Sequence, residues 1–122
     1  MGFIAGCGSE ADSSLGTQVT RISAADVAQR IASNTAPIIL DVRSAEEYDA
    51  GHIPGAVHIP HTELAERFIE IGADRSDEIV VHCQSGRRAG IAEAVLLENG
   101  FSNVRDLDGH WKEWSAQGLP IE

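Results

Sequence analysis

The chain has 122 residues, enough for one domain around a single core and too few for two of ordinary size. Its 43% hydrophobic and 23% charged residues, with twelve Gly and four Pro, exclude a disordered or fibrous polymer, and two cysteines exclude a disulfide-stapled mini-fold. Nine Lys plus Arg against nineteen Asp plus Glu give a formal net charge of −10, which argues against a nucleic-acid partner. The single lysine is Lys112, so almost all positive charge is arginine, the residue whose forked donors fit oxyanions.

Residues 1–16, MGFIAGCGSEADSSLG, carry no helical or strand period and read as a Gly/Ser-rich tail ahead of a domain over 17–122. Within the tail, Ile4-Ala5-Gly6-Cys7 resembles a bacterial lipobox, whose cysteine receives a lipid, although no basic region or long apolar stretch precedes it. Two readings stay open. Cys7 is a lipidation site that puts the domain on the cell-envelope or periplasmic side, with the membrane touched only through that lipid, or it is an incidental thiol and the protein is cytoplasmic.

From Gln18 the pattern alternates between β-branched runs and helical periods, as in a parallel α/β sheet. An edge strand is expected at Val19–Ile22. Ser23 then caps a helix whose Ala24, Val27, Ala28 and Ile31 share one face. Ile38-Ile39-Leu40 and Ile79-Val80-Val81 are unbroken apolar triplets suited to central strands covered on both faces. Ser44 with Glu47 predicts a capping box and a short helix ending near Gly51, followed by a turn through Gly55. Leu64, Phe68 and Ile71 predict another helix, and Arg88–Asn99 a further one with Gly100 at its C′ position. A last strand at Asn103–Asp106 leads to a short helix bearing Trp111 and Trp114, both read as packing residues.

The stretch from Ile79 to Gly90 is the most informative. A buried strand ends at Cys83, and a short glycine-containing loop, Gln84-Ser85-Gly86 with Arg87 and Arg88 after it, opens directly into a helix. Open α/β sheets bind ligands at the carboxyl ends of their strands. Loop amides, a helix N-terminus and two arginines there all favour a thiolate at Cys83 over a thiol. Arginines at a helix start oppose the dipole, so the pair suggests an anion bound between them.

These residues resemble the rhodanese family of sulfurtransferases. The resemblance is carried in order by Leu40-Asp41-Val42-Arg43, by Glu47-Tyr48, by Gly51-His52-Ile53-Pro54-Gly55-Ala56, by His82-Cys83-Gln84-Ser85-Gly86-Arg87-Arg88, by Gly100-Phe101, by Asp108-Gly109 with Trp114, and by Gly118-Leu119-Pro120. It implies a rhodanese-like α/β domain, a five-stranded parallel sheet with helices on both faces. It also implies a Cys83 that takes a sulfane sulfur from a small anionic donor such as thiosulfate and passes it, through a persulfide, to cyanide or a thiol. No metal and no other cofactor is implied. Gln84, Ser85, Gly86, Arg87 and Arg88 form the substrate-binding loop in this reading, and Asp41 and Arg43 organise it. The family's usual second glycine after Asp-Gly is replaced by His110, which bears on the turn after Asp108 and not on the chemistry at Cys83.

Two other functions compete. A cysteine phosphatase needs C-x5-R, but that count from Cys83 lands on Ala89, with Arg88 one residue early. A module that only binds a partner or carries sulfur is the second, and the retained Cys83 argues for chemistry. Among the histidines, His52, His58 and His61 follow no ligand spacing, and His52 and His82 are read as structural.

Overall fold

The computed structural model describes residues 19–122; the tail, and with it the lipobox reading of Cys7, lies outside them. Five strands, β1 (Thr20–Ile22), β2 (Ile38–Asp41), β3 (Val57–His58), β4 (Ile79–His82) and β5 (Val104–Leu107), form one sheet in the order β1-β5-β4-β2-β3. Every pairing is parallel, with Asp41 of β2 opposite His82 of β4. All four residues of β4 are buried, as their continuous apolar run predicts for a strand covered on both faces.

Helices cover both faces. On one, α1 (Ala24–Ala32) and α5 (His110–Ala116) close a core of Ile22, Val27, Ile39, Val80, Leu107 and Trp114. On the other, α4 (Arg87–Glu98) packs Ala89, Ala92 and Leu96 against Leu40, Val81 and Phe101. Ser23 caps α1 by accepting from the Asp26 amide at 3.0 Å. The short α2 (Ala45–Ala50) has the predicted capping box: Ser44 Oγ accepts from Glu47 N–H and Glu47 Oε1 from Ser44 N–H. At the far end of α4, Gly100 takes a φ of 90°, while Gly100 N–H and Phe101 N–H donate to Leu97 and Leu96 carbonyls, a Schellman closure.

Three expectations shift. The helix through Leu64, Phe68 and Ile71 is one α turn, α3 (Leu64–Arg67), flanked by 3₁₀ turns at His61–Glu63 and Phe68–Ile71. The apolar stripe holds, with Leu64 and Ile71 buried, but the segment has only the stretch from Pro60 to the left-handed Gly72 in which to turn. β5 runs to Leu107, one residue beyond the expected strand, because Leu107 is a core residue. α4 starts at Arg87 rather than Arg88.

The strand order fixes where the chemistry can sit. After β2 the chain moves outward to β3, while after β4 it moves to β5 on the opposite side. The carboxyl ends of the neighbours β2 and β4 therefore diverge into a crevice, the usual ligand position in such sheets. Cys83 follows β4, and Asp41 ends β2 two residues before Arg43.

Candidate active site around Cys83

Cys83 is 1% exposed, held at the end of β4 by the chain itself. Its carbonyl accepts from Trp111 N–H at 3.0 Å, and the next carbonyl, of Gln84, accepts from Lys112 N–H at 3.1 Å, so the start of α5 is tied to the loop. Gly86, with φ 124°, turns the loop so that its N–H points at Cys83 Sγ, 3.0 Å away. A side chain is disfavoured there, since such a φ crowds any β-carbon. No side chain caps α4, whose first amides are left for another acceptor.

That acceptor is sulfur. The Cys83 thiol is lowered to about 7: burial is the largest single influence and pushes the other way, but the His110 side chain and the amides of Ala89, Gly86 and Ser85 together outweigh it. The thiolate, the nucleophilic form, is therefore accessible near neutral pH.

The two arginines divide. Arg88 is bound at both ends of its fork by Glu47, at 2.7 and 3.0 Å, and Glu47 is lowered to about 2, chiefly by those hydrogen bonds. The expectation of an anion shared between two free arginines is therefore corrected: α2 already supplies a carboxylate to Arg88, through the same Oε1 that completes its capping box. Arg87 is exposed, with no carboxylate within salt-bridge distance among the described residues, and is the loop's available cation. Gln84 and Gly86 are half-buried and Ser85, like Arg87, is exposed.

Asp41 and Arg43 are no surface pair. They are 0% and 1% exposed, with Arg43 Nη2 2.7 Å from Asp41 Oδ2 and its Nε within reach of both carboxylate oxygens. Arg43 also donates to the Gly51 carbonyl at 2.8 Å and lies 4.5 Å over the Trp111 ring. These contacts brace β2, the Gly51 turn and α5, the elements flanking the loop. Asp41 further approaches His82 Nε2 at 3.6 Å, while His82 Nδ1 meets the Cys83 carbonyl at 3.1 Å. Burial lowers His82 below its usual value, which keeps it neutral as a structural residue. His52 is structural too, stacked on Tyr48 at 3.8 Å with Nδ1 on the Tyr48 carbonyl.

His110 requires a correction, because it does bear on Cys83. Its Nδ1 accepts from Cys83 N–H at 3.2 Å, and its Nε2 lies 3.3 Å from Asp106 Oδ2. Placed at the tip of the turn with φ 52°, its ring falls across the loop and not into solvent. Asp106 in turn meets Glu93 from α4, a buried carboxyl that sits in the apolar stripe of Ala89, Ala92 and Leu96. Sequence reading missed both acids. The usable signals were an ionisable residue at i+4 from Ala89 on a buried face and an aspartate four residues before His110. Among the described residues no group of three His, Cys, Asp or Glu side chains is disposed to hold a metal ion.

A family model described as the rhodanese-like domain matches residues 23–117. The chain is 36% identical over 110 residues to a putative sulfur carrier protein, YrkF, of Bacillus subtilis, covering 90% of this chain but only 58% of that protein. It is 34% identical over 103 residues to a sulfurtransferase of Allochromatium vinosum, covering 84% of this chain and 94% of the relative. Among solved structures, a rhodanese-related protein of Thermoplasma volcanium superposes with a TM-score of 0.72 at 30% identity, over 84% of this chain and 97% of the other. With the sheet order, the Cys83 loop and these likenesses in agreement, the chain belongs to the family of rhodanese-like domains.

Proposed function

We propose that the chain is a sulfurtransferase of the thiosulfate type, working through a persulfide on Cys83. The observation that carries this reading is the Cys83 sulfur itself: it ends a central strand, accepts from Gly86 N–H at 3.0 Å, and has its thiol lowered to about 7. The thiolate attacks the outer sulfur of thiosulfate. A new S–S bond forms on Cys83, the S–S bond of thiosulfate breaks, and sulfite leaves with the electron pair. Thiosulfate is a dianion with a good leaving group, so the demand on the protein is an ionised nucleophile and nearby donors. Arg87, exposed at the start of α4, is the cation that draws the donor in against the protein's net charge of −10. In the second half, a thiophilic acceptor such as cyanide or a thiol takes the outer sulfur and Cys83 leaves as thiolate.

Intact mass measurement tests the reading. Incubation with thiosulfate is expected to add one sulfur atom to the chain, and cyanide to remove it. Cys83→Ser is expected to gain nothing, and Cys7→Ser to behave as the parent. A parent chain that gains no sulfur from thiosulfate would overturn the choice of donor. Sulfur that loads equally on Cys83→Ser would overturn the choice of residue.

A further inference from the structure

Cys83 is almost wholly enclosed, so the proton it must lose has no easy route to bulk water. His110 lies beside it, bound through Nδ1 to Cys83 N–H, and three features of its placement point to a role at the thiol. It holds a left-handed φ of 52°, a conformation that costs a non-glycine residue and persists where surrounding contacts enforce it. Its ring lies against Gly86, within 3.2 Å of where a β-carbon would stand, so it covers the same loop whose amide meets Sγ. It is 6% exposed, anchored by Cys83 N–H on one nitrogen and Asp106 on the other. Behind Asp106 stands Glu93, 8% exposed, with its Oε2 lacking any hydrogen-bond partner.

We propose that His110, oriented by Asp106 and Glu93, is the base that takes the proton of the Cys83 thiol and then, as an imidazolium, is the counter-charge of the thiolate through both half-reactions. The inference rests on the reading of Cys83 as the sulfur-carrying nucleophile. With Nδ1 accepting from Cys83 N–H, the ring is neutral and carries its proton on Nε2 toward Asp106, the form able to take a proton at Nδ1. When Sγ–H gives its proton to Nδ1, the amide bond to Nδ1 is released, and the imidazolium stays held at Nε2 by the Asp106 carboxylate. In the second half-reaction the acceptor bonds to the outer sulfur and the Cys83–S bond breaks. Its electron pair goes to Sγ, which leaves as the thiolate with the His110 imidazolium as its counter-charge. No oxidant or reductant is consumed in either direction.

The surrounding charges suit that traffic. Burial works against an imidazolium, yet Asp106 and the Cys83 side chain bring His110 up to about 9. Glu93 is pushed up to about 9 by burial and by Asp106, so it is a neutral acid that donates to Asp106 and helps keep that carboxylate ionised. From β4, His82 is held neutral; from α4, Arg88 is paired with Glu47; on the β1 side, Arg21 acts on Asp106. Between about 7 and about 9, thiolate and imidazolium coexist.

The test is the pH profile of Cys83 alkylation by iodoacetamide, followed by intact mass in the full chain carrying Cys7→Ser. His110→Gly and His110→Gln are compared, with Asp106→Asn alongside. Glycine accepts a φ of 52° without strain, so His110→Gly is the variant whose folding is safest. The alkylation midpoint is expected near neutral pH in the parent and at least one unit higher in both His110 variants, a loss of about tenfold in rate near pH 6. Asp106→Asn is expected to move it the same way by less, and sulfur uptake from thiosulfate to fall in step. An unchanged midpoint in both folded His110 variants would overturn the proposal even if sulfur still loads. A His110-dependent midpoint in a chain that takes no sulfur would uphold the base and overturn the sulfurtransferase reading instead.

Discussion

Gly86→Ala is expected to slow sulfur uptake by Cys83 about 100-fold, the scale of loss that follows an ångström of misplacement in a reacting group. Its cost in stability is expected to be only about 1–3 kcal/mol, that of one residue forced into a disfavoured backbone region. Gly86 has φ 124°, and an added β-carbon would stand 3.2 Å from His110 Nε2 and 3.4 Å from its Cδ2. The ring cannot easily yield, because Asp106 and the Cys83 amide hold its two nitrogens. The loop must therefore move, and with it the Gly86 N–H that meets Sγ and the first turn of α4. Rapid-mixing mass measurement of sulfur loading, beside thermal unfolding, separates the two effects. Combining Gly86→Ala with His110→Gly removes the clash but leaves the φ strain, so the pair should melt no lower than Gly86→Ala alone. Unchanged loading in Gly86→Ala would mean that the Gly86 amide contributes nothing to the sulfur's reactivity.

The parts of this molecule that sequence alone discloses are those set by local rules. Apolar triplets at Ile38 and Ile79 announce buried parallel strands, and Ser23, Ser44 with Glu47, and Gly100 announce helix ends, because each signal acts within a few residues. Cys83 is legible for the same reason: strand, thiol, glycine loop and helix follow one another in the chain. What escapes is whatever depends on distant partners. Nothing near Arg88 says that Glu47, 41 residues earlier, neutralises it. Nothing near His110 says that α5 swings the ring over a loop 27 residues upstream, since that follows from α5 packing against the β4 end through Trp111 N–H and Lys112 N–H. The replaced glycine is visible in the sequence, but only the turn's left-handed geometry reveals where the imidazole goes. The proton-handling half of the site is thus assembled by the sheet, while the nucleophile is written in one segment.

Arg43→Met is expected to cost about 3–5 kcal/mol of stability, the usual consequence of removing one partner from a buried ion pair. Asp41 is 0% exposed, and Arg43 supplies three hydrogen bonds from its side chain to that carboxylate and one to the Gly51 carbonyl. Methionine fills much of the volume but leaves the carboxylate charged and unmatched. Adding Asp41→Asn should recover part of the loss, because a neutral pair in the same space no longer strands a charge. The deficit should also depend on pH, through His82. Its Nε2 lies 3.6 Å from Asp41, and burial together with the Arg43 cation holds it below its usual value, against the pull of Asp41. Without Arg43 the His82 value rises in the folded state. A histidine held below its ordinary value costs stability in acid, and in the variant that cost is smaller than in the parent, so the shortfall of the variant narrows as pH falls. Urea unfolding of parent and variant at about pH 8 and about pH 5.5, on either side of the ordinary histidine value, should therefore give a larger difference at the higher pH. A difference that grows on acidification would mean that His82 does not answer to Asp41, and that the three buried groups at the ends of β2 and β4 do not act as one charge cluster.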